Sequence, residues 1–138
     1  MSEKSVPNGY EPVDVGTGFL LALGGLFVDR ARRRLAFRVG PGQCNPVDKV
    51  HGGAIATFAD AQIIAINSGS EVRTEHHPTI SLTIDFLAPA MVGDWVEAEV
   101  ALDRKTRTLF FTRALISVGD TVIARASAIY RNTQKAGA

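Results

Sequence analysis

Of the thirteen residues 54–66, ten are Ala, Ile or Phe, and only Thr57, Asp60 and Gln62 interrupt them. Wound as a helix, this run is apolar on nearly every side, so the rest of the chain or a partner has to enclose it. We read one long helix over residues 52–68, opened by Gly52 and Gly53 and stopped by Asn67, Ser68 and Gly69. Alanine favours that state, and each isoleucine gives up only about a few tenths of a kcal/mol.

The enclosing material follows the helix. Ile80, Leu82, Ile84 and Phe86 alternate with Ser81, Thr83 and Asp85, and Val96, Ala98, Val100 and Leu102 form a second alternating face. Residues 109–118 and 122–130 read as two further strands. Turns fall at 92–94 and 119–120, and a charged hairpin tip at 103–107. Before the helix, 26–28 and 35–39 form a hairpin whose tip carries Arg30, Arg32, Arg33 and Arg34. Residues 17–24 read as a short helix, 1–16 as a loose or draped tail and 131–138 as a fraying tail. One helix followed by consecutive strands predicts an α+β domain, a strongly curved antiparallel sheet wrapped on that helix. Phe110 and Phe111 point to opposite faces of one strand. The outer face is therefore expected to be partly apolar and covered by oligomer formation.

A length of 138 residues suits one domain over 1–138. Lys plus Arg total 15 against 14 Asp plus Glu, and a formal charge of +1 points to neither nucleic acid nor an anionic membrane. The apolar run 19–28 is too short to span a bilayer and lacks the flanks of a signal peptide, so the expected location is cytoplasmic. Cys44 is the single cysteine and has no intrachain partner. No phosphate-cradling loop, dinucleotide fingerprint or serine-nucleophile elbow occurs. His76 and His77 lack the ligand spacing of a metal site, and none is expected.

The strongest local signal is residues 44–53, which run from Cys44 through Asn45, Asp48 and His51 into Gly52 and Gly53. The first amides of a helix lack intrahelical acceptors and carry partial positive charge, and the glycines leave them open. This suits a polarised carbonyl or an oxyanion, and equally a tight loop-to-helix junction. Asp60 sits two turns into the apolar helix, so it must be paired, hydrogen-bonded or facing a wet cleft. It is a candidate general base or nucleophile, or else a structural carboxylate. Asp60 lies about 13 Å along the axis from His51, too far for both to act on one atom within one chain. His51 is read as locking its loop through ring hydrogen bonds, and Thr57 as lining a pocket or bonding its own backbone. The two arginine-rich tips are either solvated or phosphate-binding.

Asn45, His51-Gly52-Gly53 and Asp60 in this spacing, followed by Thr79 to Pro89 and the Phe86-to-Asp94 run, resemble the hotdog-fold acyl-CoA thioesterases, closest to the phenylacetate-degradation (PaaI) type. The resemblance covers about residues 17–131. It implies a curved sheet wrapped on a central helix, and a homodimer with shared active sites that commonly pairs into a homotetramer. It also implies hydrolysis of acyl-CoA to a carboxylic acid and CoA, with CoA as part of the substrate and no separate cofactor. The Gly52 amide would polarise the thioester carbonyl, assisted by Asn45. Asp60 of the opposite protomer would act as base or nucleophile, with Thr79 helping to place water or carboxylate. His51, Gly53, Arg104 and Arg107 are assigned to binding CoA. The chain departs from the family at Asp48, where glycine is usual, and a different turn is expected there. The alternatives are a non-catalytic acyl-CoA-binding or regulatory protein and, third, a hydratase of the same fold.

Overall fold

In a computed structural model that describes residues 5–66 and 76–133, the strands form one seven-stranded sheet. The elements are β1 (Glu11–Pro12), β2 (Phe27–Asp29), β3 (Arg34–Arg38), α1 (Gly52–Ala59), α2 (Gln62–Ile66), β4 (Thr79–Phe86), β5 (Trp95–Lys105), β6 (Leu109–Val118) and β7 (Thr121–Arg131). Spatial order is β1-β2-β3-β5-β6-β7-β4, every neighbouring pair antiparallel. The strand that follows the helix thus crosses to the far edge, and the β5-β6-β7 meander fills the gap between it and β3.

Period-2 alternation produces this directly. Val96, Ala98 and Val100 of β5, Ala114 and Ile116 of β6, and Ala124 and Ala126 of β7 are buried on one face. Against them lie Ile55, Phe58, Ala59, Ile64 and Ala65 of the central helix. Phe58 is fully buried and its ring sits 4.8 Å from that of Phe37. Truncating such a side chain to alanine typically costs about 3–5 kcal/mol. A curved antiparallel sheet around a central helix is the hotdog arrangement.

Three details differ from the sequence reading. The helix is interrupted at Asp60 and Ala61, where Ala61 N donates to Phe58 O at 3.0 Å and tightens the turn. Its expected stop at residues 67–69 lies outside the described residues. The N-terminal segment is strapped down: Glu11 and Pro12 pair with Val28 and Phe27, and Tyr10 Oη donates to Glu97 Oε2 at 2.6 Å. At the other end the fraying is not seen through Thr133: β7 continues to Arg131, and Asn132 and Thr133 are tied down by Asn132 N donating to Thr108 O and Thr133 Oγ1 to His76 O. The outer face of the sheet, expected to be partly apolar, also carries the ion pairs Arg125–Asp85, Arg113–Asp103 and Arg34–Glu99. Phe110 is buried and Phe111 half-buried, while Leu115 on the same outer face is exposed. No helix among the described residues is long and apolar enough to cross a membrane.

Candidate active site

The loop before α1 is built by its own side chains. Asn45 Oδ1 accepts from the amides of Val47 and Lys49, both at 3.1 Å, and Asn45 N donates to Lys49 O at 2.8 Å. The closed loop needs one left-handed residue. That residue is Asp48, at φ 61°. An aspartate tolerates this region better than most residues, so Asp48 takes the left-handed backbone that a glycine would adopt there.

His51 is the N-cap of α1. Its Nδ1 accepts from Gly53 N at 2.8 Å, and its carbonyl accepts from the amides of Ala54 and Ile55. Glycine at 53 makes room for this bond, because a Cβ there would stand 2.9 Å from His51 Nδ1 and push the ring away. Gly52 is different, since a Cβ there would meet only the Phe86 ring at an ordinary 3.6 Å. With Gly53, Ala54 and Ile55 committed to His51, the Gly52 N–H is the first-turn amide without an acceptor among the described residues. Chemically it is a donor that could serve a ligand oxygen.

Asp60 stands at the C-terminal end of α1, exposed in the single chain. Thr79, the first residue of β4, donates from Oγ1 to Asp60 Oδ1 at 2.7 Å. This holds one carboxylate oxygen, and Asp60 lines a cleft of about 920 Å3. Phe19, Leu20, Ile63, Ile64 and Leu82 give the cleft apolar walls, while Thr57, Asp60, Thr79, His76 and His77 give it polar points. Thr57 does both things proposed for it: it lines the cleft and donates to Gly53 O at 2.8 Å. A smaller cleft of about 320 Å3 adjoins, sharing Phe19 and Thr57 and reaching His51 and Gly53.

The structure therefore brings Asp60 together with Thr79, and His51 with Gly53. Neither Asn45 nor Gly52 lines either cleft of the single chain. The arginine tips are unlike each other. Arg30, Arg32 and Arg34 pair with Glu11, Asp29 and Glu99. Arg104 and Arg107 are exposed and form no ion pair among the described residues. Their tip reaches the cleft side through Asn132, whose Nδ2 donates to Thr106 O, and Thr133, whose Oγ1 donates to the carbonyl of His76.

Three residues escaped the sequence reading. Tyr130 Oη donates to Asp60 O at 2.7 Å, Gln62 Nε2 to Ala59 O at 2.9 Å, and Thr112 Oγ1 to Gln62 Oε1 at 2.9 Å. A signal for one of them existed: Gln62 is, like Asp60, a polar interruption in the apolar run.

Comparison with known proteins agrees with the fold. The thioesterase superfamily pattern matches residues 48–124. A Pseudomonas aeruginosa protein named "Putative esterase PA0474" is 30% identical over 129 residues, covering 91% of this chain and 96% of that protein. Among solved structures, a hypothetical thioesterase protein of Streptococcus pneumoniae, crystallised with coenzyme A, superposes with a TM-score of 0.64 at 15% identity, covering 93% of this chain and 91% of that one. The Escherichia coli PaaI protein of the phenylacetic acid degradation operon gives 0.64 at 20% identity, covering 73% of this chain and 72% of that one. These two likenesses establish the hotdog fold. The family match and the identity to the Pseudomonas protein go further: the chain belongs to the thioesterase superfamily.

Proposed function

We propose that the chain hydrolyses acyl-CoA thioesters at sites shared between two copies, as a PaaI-type thioesterase. One observation carries this reading. The two chemical elements sit at opposite ends of one edge strand, paired with β7 on one side and with no strand among the described residues on the other. β4 is the sheet edge; Thr79 at its start holds Asp60, and Phe86 at its end lies against Gly52. Ile80, Phe86 and Leu87 along and beyond this edge are 51%, 57% and 55% exposed. An exposed apolar edge invites strand pairing. Antiparallel pairing of β4 with a second copy about a two-fold near its middle places the Thr79 end of one copy beside the Phe86 end of the other. Asp60 of one chain then faces Gly52 of the other, which removes the separation that a single helix imposes.

In that site the thioester carbonyl accepts a hydrogen bond from the free Gly52 amide, and the helix N-terminus favours the charge that develops on oxygen. The unheld oxygen of Asp60 takes a proton from water as it adds to the carbonyl carbon. The tetrahedral intermediate collapses, the C–S bond breaks, and CoA leaves as thiol with the proton that Asp60 took from water. Thr79 keeps the carboxylate aimed. Asn45 acts by closing the loop that presents His51 and Gly52. The apolar cleft receives the acyl group, and Arg104 and Arg107, exposed and without an ion pair among the described residues, are the arginines proposed for CoA phosphates. One oxyanion donor contributes about 3–4 kcal/mol to such a reaction, and a general base about 10²–10⁴ in rate.

The test is thiol release from short, long and aromatic acyl-CoAs by the purified chain, beside Asp60→Asn. Release that disappears with Asp60→Asn supports hydrolysis. Tight binding of acyl-CoA with no release by a folded protein supports the binding-protein alternative instead.

A further inference from the structure

The interruption of the central helix falls at Asp60, and it is maintained by a side chain seventy residues away. In a continuous helix Ile64 N would donate to Asp60 O and Ile63 N to Ala59 O. Here Ile64 N donates to Ala61 O at 3.0 Å. The freed Asp60 carbonyl accepts instead from Tyr130 Oη at 2.7 Å, and the freed Ala59 carbonyl from Gln62 Nε2 at 2.9 Å. Gln62 is itself held, since its Oε1 accepts from Thr112 Oγ1 at 2.9 Å. Tyr130, Gln62 and Thr112 are 1%, 0% and 2% exposed. Water therefore cannot stand in for any of them, and an unmade bond would leave a buried polar group unpaired.

We infer that Tyr130 is a positioning residue for Asp60: from the last strand its hydroxyl holds the helix open at the one turn where the carboxylate must leave the helix line and meet Thr79. The Gln62–Thr112 pair forms the second arm of the same device. This inference rests on the reading of Asp60 as the general base. The geometry is specific in three ways. The contact is to the backbone of the reactive residue itself. Tyr130 and Thr79 approach Asp60 from adjacent strands, with Thr79 opposite Tyr130 in the β4–β7 register. Each holds a different group of Asp60, one its carbonyl and one its carboxylate. The phenol also stays protonated and able to donate, because burial first and the Asp60 charge second push its pKa up, against the backbone amides of Ile63 and Gln62.

The test compares Tyr130→Phe, Thr112→Val, Asp60→Asn and a core control, Ile116→Val, which loses buried volume without touching Asp60. Each is measured for kcat and KM with the acyl-CoA that the wild type turns over fastest, and for thermal midpoint. Tyr130→Phe is expected to lower kcat about 10–100-fold with KM within about twofold, because misplacing a reacting group by about an ångström costs that much. Thr112→Val is expected to lower kcat about 3–10-fold in the same manner. Ile116→Val is expected to lower the midpoint by a few degrees and leave kcat unchanged. In an Asp60→Asn background, Tyr130→Phe should lower residual turnover no further, since there is no base left to aim. Wild-type kcat in folded Tyr130→Phe overturns the inference and leaves the base reading standing. Equal loss of kcat in Ile116→Val and Tyr130→Phe overturns it as well, by showing a purely structural effect. If Tyr130→Phe does not fold, Thr112→Val decides by the same kcat criterion. Full turnover by Asp60→Asn, or none by the wild type, overturns the base reading, and this inference with it.

Discussion

Gly52→Pro removes one hydrogen from the molecule's chemistry and little else. Proline has no N–H, so the amide assigned to the thioester oxygen vanishes. Gly52 is the first residue of α1, the position where proline is favoured because that N–H makes no intrahelical bond. The preceding residue must be extended, and His51 already is, at φ −66° and ψ 137°. A Cβ at residue 52 meets only the Phe86 ring at 3.6 Å. The fold should therefore accept the change, with a gain of about 0.4–1 kcal/mol from the stiffer unfolded chain. Turnover should fall about 10²–10³-fold, the effect of one lost oxyanion donor. Thermal unfolding and thiol release on the same preparation measure both. A folded Gly52→Pro protein that keeps turnover within about threefold of wild type refutes the assignment of that amide.

Three further outcomes follow from the same geometry. Asp48→Gly relieves a left-handed residue at φ 61° and should raise stability by about 0.5–1 kcal/mol in denaturant titration, with turnover retained; a loss of stability would mean the aspartate side chain supports the loop. Charge reversal at Arg104 and Arg107 should weaken CoA affinity and flatten its salt dependence, whereas reversal at Arg30 and Arg34, which are already paired, should leave affinity unchanged. Tyr130 and Tyr10 both have phenols raised above the ordinary value of 10.0 chiefly by burial, so the stability they add is present below pH 10.0 and lost as pH rises beyond it. Replacing either by Phe should lessen the alkaline loss of stability in denaturant titrations, and an unchanged alkaline limb would contradict the buried placement.

The fold was legible because two periodicities were clean. An apolar run with few polar interruptions had to be enclosed, and alternating strands after it had to do the enclosing. The ion pairs on the outer face were not legible beside its apolar residues. Cross-strand pairs such as Asp85–Arg125 depend on register, which the pattern of a single strand does not reveal. The helix interruption was hidden for a related reason. Ala59, Asp60 and Ala61 carry no glycine or proline, and the break is held by Tyr130 and Gln62 through tertiary bonds rather than by local propensity. Within the site, His51 and Gly53 could be read locally because both ends of their hydrogen bond lie in one turn. The pairing of Thr79 with Asp60 spans nineteen residues, and only the resemblance pointed to it.

Mixing two inactive chains tests the shared site most directly. Asp60→Asn keeps a working Gly52 amide, and Gly52→Pro keeps a working carboxylate. A mixed dimer then holds one intact site and one doubly broken site. After equal mixing and subunit exchange, thiol release should recover to about a quarter of the wild-type rate, since about half the dimers are mixed and each has one working site of two. Recovery to that level is the result the two-copy arrangement predicts. No recovery beyond the sum of the separate variants, with subunit exchange demonstrated, would contradict it and place all the chemistry within one chain.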